Sequence, residues 1–359
     1  MTSSTQIPPV TAEGEAYLSA PRRLQFLEIE PPQPGQAVSI APGVRWCRIP
    51  LPIDLNHINV WLIDVDDGCI LVDTGMASPI GEEAWQAIET NVFAHTPLRA
   101  IFATHIHPDH LGLARWLQQR HGVPVWMSKR THEQLSGFMS SDGSSGVHEA
   151  ERFFTTHGIV DRSMLPSLSP ARFAKMTSGM PDVEKHVADG ESLRWGTQEW
   201  AALETNGHAE GHLCLYSHAN RVLISGDQVL PSISSNIGFT WRSQDADPLA
   251  SFLSSLQRLH SLPTDTLVLP SHGQPFRGLQ SRIEDLSQHH YEQLDTVERA
   301  CQGGKTAFEI LPVMFRRKLH GMHFFLAMAE ALAHLEYLAN AMRLQRIIDA
   351  DGVVRYAAH

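Results

Sequence analysis

The feature that most constrains this chain is a cluster of three histidines and one aspartate within residues 105–110. The cluster follows directly on the apolar run Ala100-Ile101-Phe102-Ala103, which predicts a buried strand. In extended backbone, side chains two positions apart point to the same side. His105 and His107 can therefore converge on one metal ion where the strand ends.

The chain is expected to turn directly after this strand. Leucines and a tryptophan at helical spacing predict a helix over residues 111–120, and Gly122 is typical of the residue that ends one. Asp109 and His110 would then reach a second position from the helix N-terminus. One turn can therefore supply ligands to two adjacent metal ions.

The density of the cluster, rather than its histidine content, indicates a functional site. The chain contains 21 histidines, so most of them are expected to be ordinary core or surface residues. The pattern His-x-His-x-Asp-His fixes four positions at once. Packing that many polar side chains beside an apolar strand costs stability unless something binds them.

This segment resembles the signature of the metallo-β-lactamase superfamily of hydrolases, and the resemblance spans roughly residues 45–285. Upstream, the apolar run 69–72 leads into Asp73, which the resemblance implies supports a ligand rather than binding metal. Downstream, residues 206–212 resemble the motif Pro-Gly-His-Thr-x-Gly-His, with asparagine and alanine at its first and fourth positions. The resemblance makes His208 a ligand and His212 a supporting residue.

Two further apolar runs, 221–226 and 267–270, lead into Asp227 and His272. The resemblance implies two divalent ions sharing one bridging carboxylate, that of Asp227. The ligands of the first ion would be His105, His107 and His208, and those of the second Asp109, His110 and His272. Imidazole and carboxylate ligands accept zinc, iron or manganese, and we predict zinc. Histidine rather than glutamate at position 107 favours hydrolysis over the redox di-iron branch.

The resemblance also implies the fold class, an α/β four-layer αββα sandwich in which helices cover two β-sheets. We expect an N-terminal extension over residues 1–40, a catalytic domain over 41–288 and a C-terminal domain over 289–359. An insert at about 136–186 is longer than a minimal core needs, and we interpret it as a lid. Its apolar residues either line a substrate pocket or pack between helices.

The C-terminal segment is predicted to be helical and then to form a hairpin. Thr306 and Glu309 have the spacing of a capping box, an apolar stripe runs over 324–342, and Asp351-Gly352 is typical of a hairpin turn. This order resembles the winged-helix tail of some superfamily members, including ones that cut RNA. Residues 303–359 carry seven Lys or Arg against five Asp or Glu, so we expect packing, dimerisation or pocket closure rather than nucleic-acid binding.

The loop that follows Asp227 is a second candidate pocket wall. Phe239, Trp241 and Arg242 are predicted to bind substrate, as an aromatic wall with a cation for an acidic group. The alternative is a surface loop anchored by Trp241.

Composition and charge limit the kinds of partner, the compartment and the disulfide content to expect. A net charge of −11 argues against a general nucleic-acid binder, and a small-molecule substrate is expected. The first 20 residues lack the pattern of a secretion signal and no apolar run reaches the length of a membrane span, which favours the cytoplasm. Four scattered cysteines predict no disulfide framework.

The predicted activity is hydrolysis of a small-molecule thioester, ester or lactone by a hydroxide that bridges the two metal ions. Asp109 and Asp227 are the predicted catalytic residues, the first orienting the hydroxide and the second bridging the ions. The resemblance is closest to glyoxalase-II-like thioester hydrolases. The alternatives are a metal-dependent nuclease acting on RNA, another hydrolase of this fold such as a β-lactamase, and a binding protein without activity.

Overall fold

A computed structural model describes residues 24–140, 144–161, 174–243 and 245–358. Within these residues the first half of the chain forms one seven-stranded sheet, built from short runs rich in β-branched and aromatic residues. Its strands, in sheet order, are β2 (Val38–Ala41), β3 (Val44–Pro50), β4 (His57–Val65), β5 (Gly68–Val72), β6 (Leu98–Phe102), β7 (Val125–Met127) and β8 (Val183–His186). Strands β5 to β8 run parallel to one another, and β5 is buried along its whole length.

A second seven-stranded sheet comes from the second half of the chain and the early strand β1 (Gln25–Phe26), again within the described residues. Its strands, in sheet order, are β1, β14 (Phe276–Arg277), β13 (Leu267–Pro270), β12 (Val222–Gly226), β11 (His212–Ser217), β10 (Gln198–Thr205) and β9 (Ser192–Trp195). The described part of the predicted N-terminal extension therefore contributes β1 and β2 to the two sheets.

The two sheets pack face to face around a core of large side chains. Trp46, Trp61 and Phe102 of the first sheet belong to one buried cluster with Trp200 and Leu215 of the second. Helices cover the outer faces of both sheets, with separate apolar clusters beneath them. The predicted four-layer sandwich is confirmed.

The helices of the described residues begin and end at ordinary signals, such as Ser78 capping the first and Thr306 and Glu309 forming the predicted capping box. They are α1 (Pro79–Ile88), extended by a π-helical turn (Glu89–Phe93), α2 (Pro108–Leu111), α3 (Ala114–His121), α4 (Lys129–Ser140), α5 (Ser144–Thr156), α6 (Pro248–His260), α7 (Leu279–Ala300), α8 (Ala307–Met314) and α9 (Gly321–Asn340).

The predicted helix over 111–120 is divided into α2 and α3 at Gly112. A Cβ on this glycine would lie 2.2 Å from the Pro108 carbonyl oxygen and 2.7 Å from that of Met176. The Gly112 carbonyl accepts a hydrogen bond from the Ser178 amide, which ties the turn to the segment before β8. Gly122 ends α3 with φ 63°, as predicted.

The C-terminal segment contains the helices and the hairpin that the sequence predicts, β15 (Leu344–Ile348) and β16 (Val354–Ala358). Helix α7 continues through the expected domain boundary at residue 288. The apolar stripe ends earlier than expected, because α9 stops at Asn340 and Met342 lies in the next turn with φ 56° and 81% of its surface exposed.

The lid-like insert is described only in part. Its described residues include the end of α4, helix α5 and strand β8, whereas 141–143 and 162–173 lie outside the described ranges. All four cysteines are buried and free. None of the described helices has both the length and the apolar character needed to cross a membrane.

Candidate metal centre

The predicted ligands meet where loops leave the same edge of both sheets. Strands β5 and β6 are parallel, as are β12 and β13, so each pair brings its carboxyl ends together. The predicted ligands lie in the segment after β6, which includes α2, in the loops after β12 and β13, and in the β10–β11 loop. The structure brings all seven predicted residues together, in two groups: His105, His107, His208 and Asp227, then Asp109, His110 and His272.

In the first group, three imidazole nitrogens face one another. His105 Nε2 lies 2.9 Å from His107 Nδ1 and 3.2 Å from His208 Nε2, which lies 3.5 Å from Asp227 Oδ2. Two ligands bound to one tetrahedral zinc at its usual bond length are roughly 3.3 Å apart. The spacing of these atoms therefore suits a shared cation.

The second group uses the other oxygen of the same aspartate. Asp227 Oδ1 lies 3.4 Å from His110 Nε2 and 3.6 Å from His272 Nε2. Asp109 Oδ2 completes the group, 3.3 Å from His272 Nε2 and 3.7 Å from His110 Nε2. Asp227 thus presents one carboxylate oxygen to each group.

Three of the facing atoms are buried without a hydrogen-bond partner in the described structure. They are His110 Nε2, His272 Nε2 and Asp227 Oδ1. Buried polar atoms left in this way cost stability. A divalent cation among them would satisfy all three, so the residues fit a metal ion.

Burial sets the charge of the first group. It lowers the pKa of His107 to about 3 and places that of His105 well below its usual range. It also lowers the pKa of His208. These imidazoles are therefore neutral near pH 7, which is the form that binds metal ions.

The second group is held by opposite charges. Burial alone would lower the pKa of His110 and His272, but Asp227 and its neighbouring carboxylates raise both. Burial likewise opposes ionisation of Asp109, yet the two histidines lower its pKa to about 2. They also hold the pKa of Asp227 well below its usual range. Both carboxylates are therefore ionised and able to attract cations.

Asp73 lies behind the ligands, as the resemblance implies. Its Oδ1 accepts a hydrogen bond from the Thr104 amide at 2.8 Å, and His110 Nδ1 donates to its Oδ2 at 2.8 Å. Thr104 Oγ1 donates to the same carboxylate and accepts from His105 Nδ1 at 3.0 Å. Asp73 is therefore placed to orient predicted ligands of both groups without lying between them.

His212 lies behind the bridging carboxylate. Its Nε2 accepts a hydrogen bond from the Asp227 amide at 3.2 Å, so the ring proton is on Nδ1, which donates to Thr205 Oγ1 at 2.9 Å. Burial holds the pKa of His212 well below its usual range, in agreement with this neutral form. His212 is placed to fix the backbone at Asp227.

Sequence reasoning missed the groups that orient His272. Its Nδ1 donates to the His57 carbonyl at 2.9 Å. Asn59, fully buried in β4, donates to the carbonyls of Pro270 and Gly273 at 2.8 Å each. The sequence signal for Asn59 is a polar residue between the apolar residues Ile58 and Val60.

A cleft of about 310 Å³ opens beside His107 and His208. Of the predicted substrate-binding residues, Trp241 and Arg242 line this cleft. Phe239 is not among its lining residues and packs against the Phe153 ring, with centroids 6.1 Å apart. The lining also includes Phe138 and Met176 of the insert and Met322, Phe325, Leu326 and Ala329 of α9.

Comparison with known proteins agrees with this architecture. The metallo-beta-lactamase superfamily profile matches residues 53–272, and a metallo-beta-lactamase-like C-terminal domain profile matches 294–359. A probable metallo-hydrolase of Bacillus subtilis, YqjP, is 27% identical over 81% of this chain and 90% of its own length. A hydroxyacylglutathione hydrolase of Aeromonas hydrophila is 27% identical over 60% of this chain and 61% of its own.

Solved structures extend the similarity to most of the chain. A beta-lactamase domain protein from Burkholderia ambifaria is 34% identical, with a TM-score of 0.85 over 96% of this chain and 99% of its own. A metallo-beta-lactamase family protein from Thermus thermophilus is 27% identical, with a TM-score of 0.75 over 89% of this chain and 99% of its own. The chain therefore belongs to the metallo-beta-lactamase superfamily and is a metallo-hydrolase of that fold.

Proposed function

We propose that this protein is a dinuclear metal-dependent hydrolase that cleaves a thioester, ester or lactone bond of a small molecule. The observation that carries the proposal is the position of Asp227. One of its oxygens lies 3.5 Å from His208 Nε2 of the first group, and the other lies 3.4 Å from His110 Nε2 of the second. A carboxylate placed in this way suits two adjacent ions better than one.

Two divalent ions bound here, which we expect to be zinc, would act as Lewis acids and lower the pKa of water toward neutrality. The role of Asp109 follows from its own surroundings. Its carboxylate is ionised and lies beside His272 at the same edge of the centre. Asp109 would accept a hydrogen bond from the attacking water and hold it against the substrate carbonyl.

The lining of the cleft favours a leaving group that departs as an anion. Apart from the two ligands His107 and His208, the described lining residues include no lysine, tyrosine, cysteine or further histidine. The carboxyl side chains of the described lining are Glu210, which is paired with Arg130, and Asp245. A thiol has a pKa of about 8.5, so a thiolate can leave unprotonated where an amine cannot. This favours thioesters and activated esters over amides.

The walls of the cleft favour an acyl group that is largely apolar and carries one acidic group. Met322, Phe325 and Trp241 supply apolar surface. The half-buried Arg242 guanidinium lies 4.4 Å from the centre of the Phe138 ring, and burial lowers its pKa. A carboxylate of the substrate would offset the cost of desolvating this cation.

The test is a screen of the zinc-reconstituted protein against acyl thioesters, aryl esters, lactones, β-lactams and a short RNA. We expect the highest kcat/KM with a thioester or lactone, and loss of nearly all turnover in Asp227→Ala. His218→Ala is the control, because His218 is exposed at the end of β11 opposite to the site. Faster hydrolysis of the β-lactam or of RNA would contradict the proposed substrate class.

A further inference from the structure

We propose that Glu330 of α9 is a positioning residue for the metal ligand His208 and acts through Asn236. This inference rests on the proposed function only in requiring a metal ion at the first ligand group. It assigns to the C-terminal domain an indirect part in holding one ion, through the loop that contains Asn236.

The first step is the hydrogen bond behind His208. Its Nδ1 donates to the Asn236 backbone carbonyl at 2.8 Å. That bond places the ring proton on Nδ1 and leaves the Nε2 lone pair facing Asp227 and His105. The position of the Asn236 carbonyl therefore sets both the tautomer and the orientation of this ligand.

The second step is what holds Asn236. Its side-chain amide donates to Glu330 Oε2 at 3.2 Å and to the Leu326 carbonyl at 3.3 Å, so both acceptors belong to α9. Three residues further on, the Phe239 amide donates to the Ala329 carbonyl at 3.0 Å. The loop that carries the Asn236 carbonyl is thus attached to one face of α9 over about one helical turn.

The third step is the cost of placing a carboxylate at position 330. Glu330 is half-buried on a helix whose neighbouring positions Ala327, Met328 and Ala331 are buried. Burial raises its pKa to about 7, and the Asn236 amide opposes that rise. The hydrogen bond from the Asn236 side-chain amide offsets part of the cost of placing a carboxylate at this position, so the two side chains hold each other in place.

Three of the other predicted ligands are oriented by groups outside the C-terminal domain. His110 and His105 are oriented through Asp73 and Thr104, and His272 through the His57 carbonyl, all within residues 57–104. A change at Glu330 should therefore lower the affinity for the ion held by His208 and leave the affinity for the second ion unchanged.

The test compares Glu330→Ala with Glu330→Gln, whose side-chain oxygen can still accept from the Asn236 amide. Zinc affinity is measured by chelator competition, and the Co²⁺-substituted proteins are compared by their visible spectra. We expect Glu330→Ala to weaken the binding of one of the two ions by about 10- to 100-fold and to alter the Co²⁺ spectrum of that site. Glu330→Gln should restore the affinity and the spectrum of the native protein. The control is Glu298→Ala, which removes a carboxylate bonded to Arg343 in the same domain.

Equal zinc affinities in the native protein and Glu330→Ala would overturn the inference. Equal weakening of both ions, or a Glu330→Gln variant as weak as Glu330→Ala, would also overturn it. Thermal melts accompany each variant, so that weaker binding of both ions can be assigned to a general loss of stability, which would contradict a specific role of Glu330 at His208. Because the readout needs no substrate, an error in the proposed substrate class would show separately, as a native protein that binds zinc normally but does not turn over acyl substrates.

Discussion

At the scale of single residues, the centre depends on carboxylates held in place by their neighbours. Asp227 is fixed through its own backbone, since its amide donates to His212 and its carbonyl accepts from Ser235 Oγ. Asp73 has φ 64°, a conformation that few residues other than glycine, asparagine and aspartate adopt readily. Its carboxylate reaches His110 directly and His105 only through Thr104.

The first prediction uses this difference. Asp73→Asn keeps a residue that tolerates positive φ but removes the charge that supports His110 Nδ1. We expect the ion of the second group to bind about 10- to 100-fold more weakly, with a smaller effect on the first. Chelator competition monitored with zinc measures both affinities. Unchanged binding of both ions would exclude the supporting role of Asp73.

At the scale of elements, the ligand loops are held against helices by close backbone contacts. Gly207, beside His208, has φ 100°, and a Cβ there would lie 2.4 Å from Phe252 Cβ and 2.5 Å from the Pro248 carbonyl oxygen. The β10–β11 loop can reach its position against α6 only because this residue has no side chain.

The second prediction is that Gly207→Ala moves this loop away from α6. The matched control is Gly190→Ala, which has φ 73° but meets nothing within 4 Å. The free energy of unfolding of Gly190→Ala should fall by about 1 kcal/mol, because of its positive φ alone. That of Gly207→Ala should fall by about 1–3 kcal/mol more, and this variant should bind the first ion more weakly. Equal unfolding free energies and equal zinc affinities in the two variants would contradict the close-contact argument.

The elements themselves were largely predictable, because apolar runs such as 69–72 and 100–103 coincide with strands of the sandwich. Four predicted ligands lie in one short segment after an apolar run, and the resemblance to the superfamily supplied His208, Asp227 and His272. Asn59, Asn236 and Glu330 were not predictable, since each acts through contacts with residues far away in sequence. A helical stripe shows which face of α9 is buried but not that Phe325 lines the cleft.

At the scale of the whole molecule, the C-terminal helices belong to the same core as the second sheet. Leu332 and Leu335 of α9 lie in one buried cluster with Leu256 of α6, Leu286 of α7 and Leu223 of β12. The cleft likewise takes one wall from α9 and another from the loop after β12. Separation of the two parts would therefore expose apolar surface and open the cleft.

The third prediction concerns this shared core. The intact chain should unfold in one thermal transition, and deletion of residues 303–359 should give a protein that aggregates or lacks cooperative unfolding, because the partner of α6 and α7 is gone. Circular dichroism and light scattering measure both effects. A soluble truncation that keeps full activity on acyl substrates, yet loses tight and salt-sensitive RNA binding shown by the intact chain, would favour the nuclease alternative.

Dimerisation is one of three roles that the sequence leaves open for the C-terminal segment, and we propose that a homodimer would form at the exposed apolar residues of its hairpin. Ile348 is 66% exposed and Ile347 is 40% exposed on β15. We expect Ile348→Lys to shift the protein toward a monomer in sedimentation experiments, because burial of a charge at an interface is unfavourable. A native protein that sediments as a monomer at all concentrations would contradict this prediction.

The central claim is that two metal ions share Asp227, and metal analysis of the purified, zinc-reconstituted protein tests it most directly. After dialysis against metal-free buffer, the native chain should retain about two zinc ions, because seven ligands in two groups exceed what one tetrahedral ion can use. Asp227→Ala should retain one ion or fewer. A native stoichiometry that stays at or below one, with zinc and then with iron or manganese, would contradict the dinuclear account.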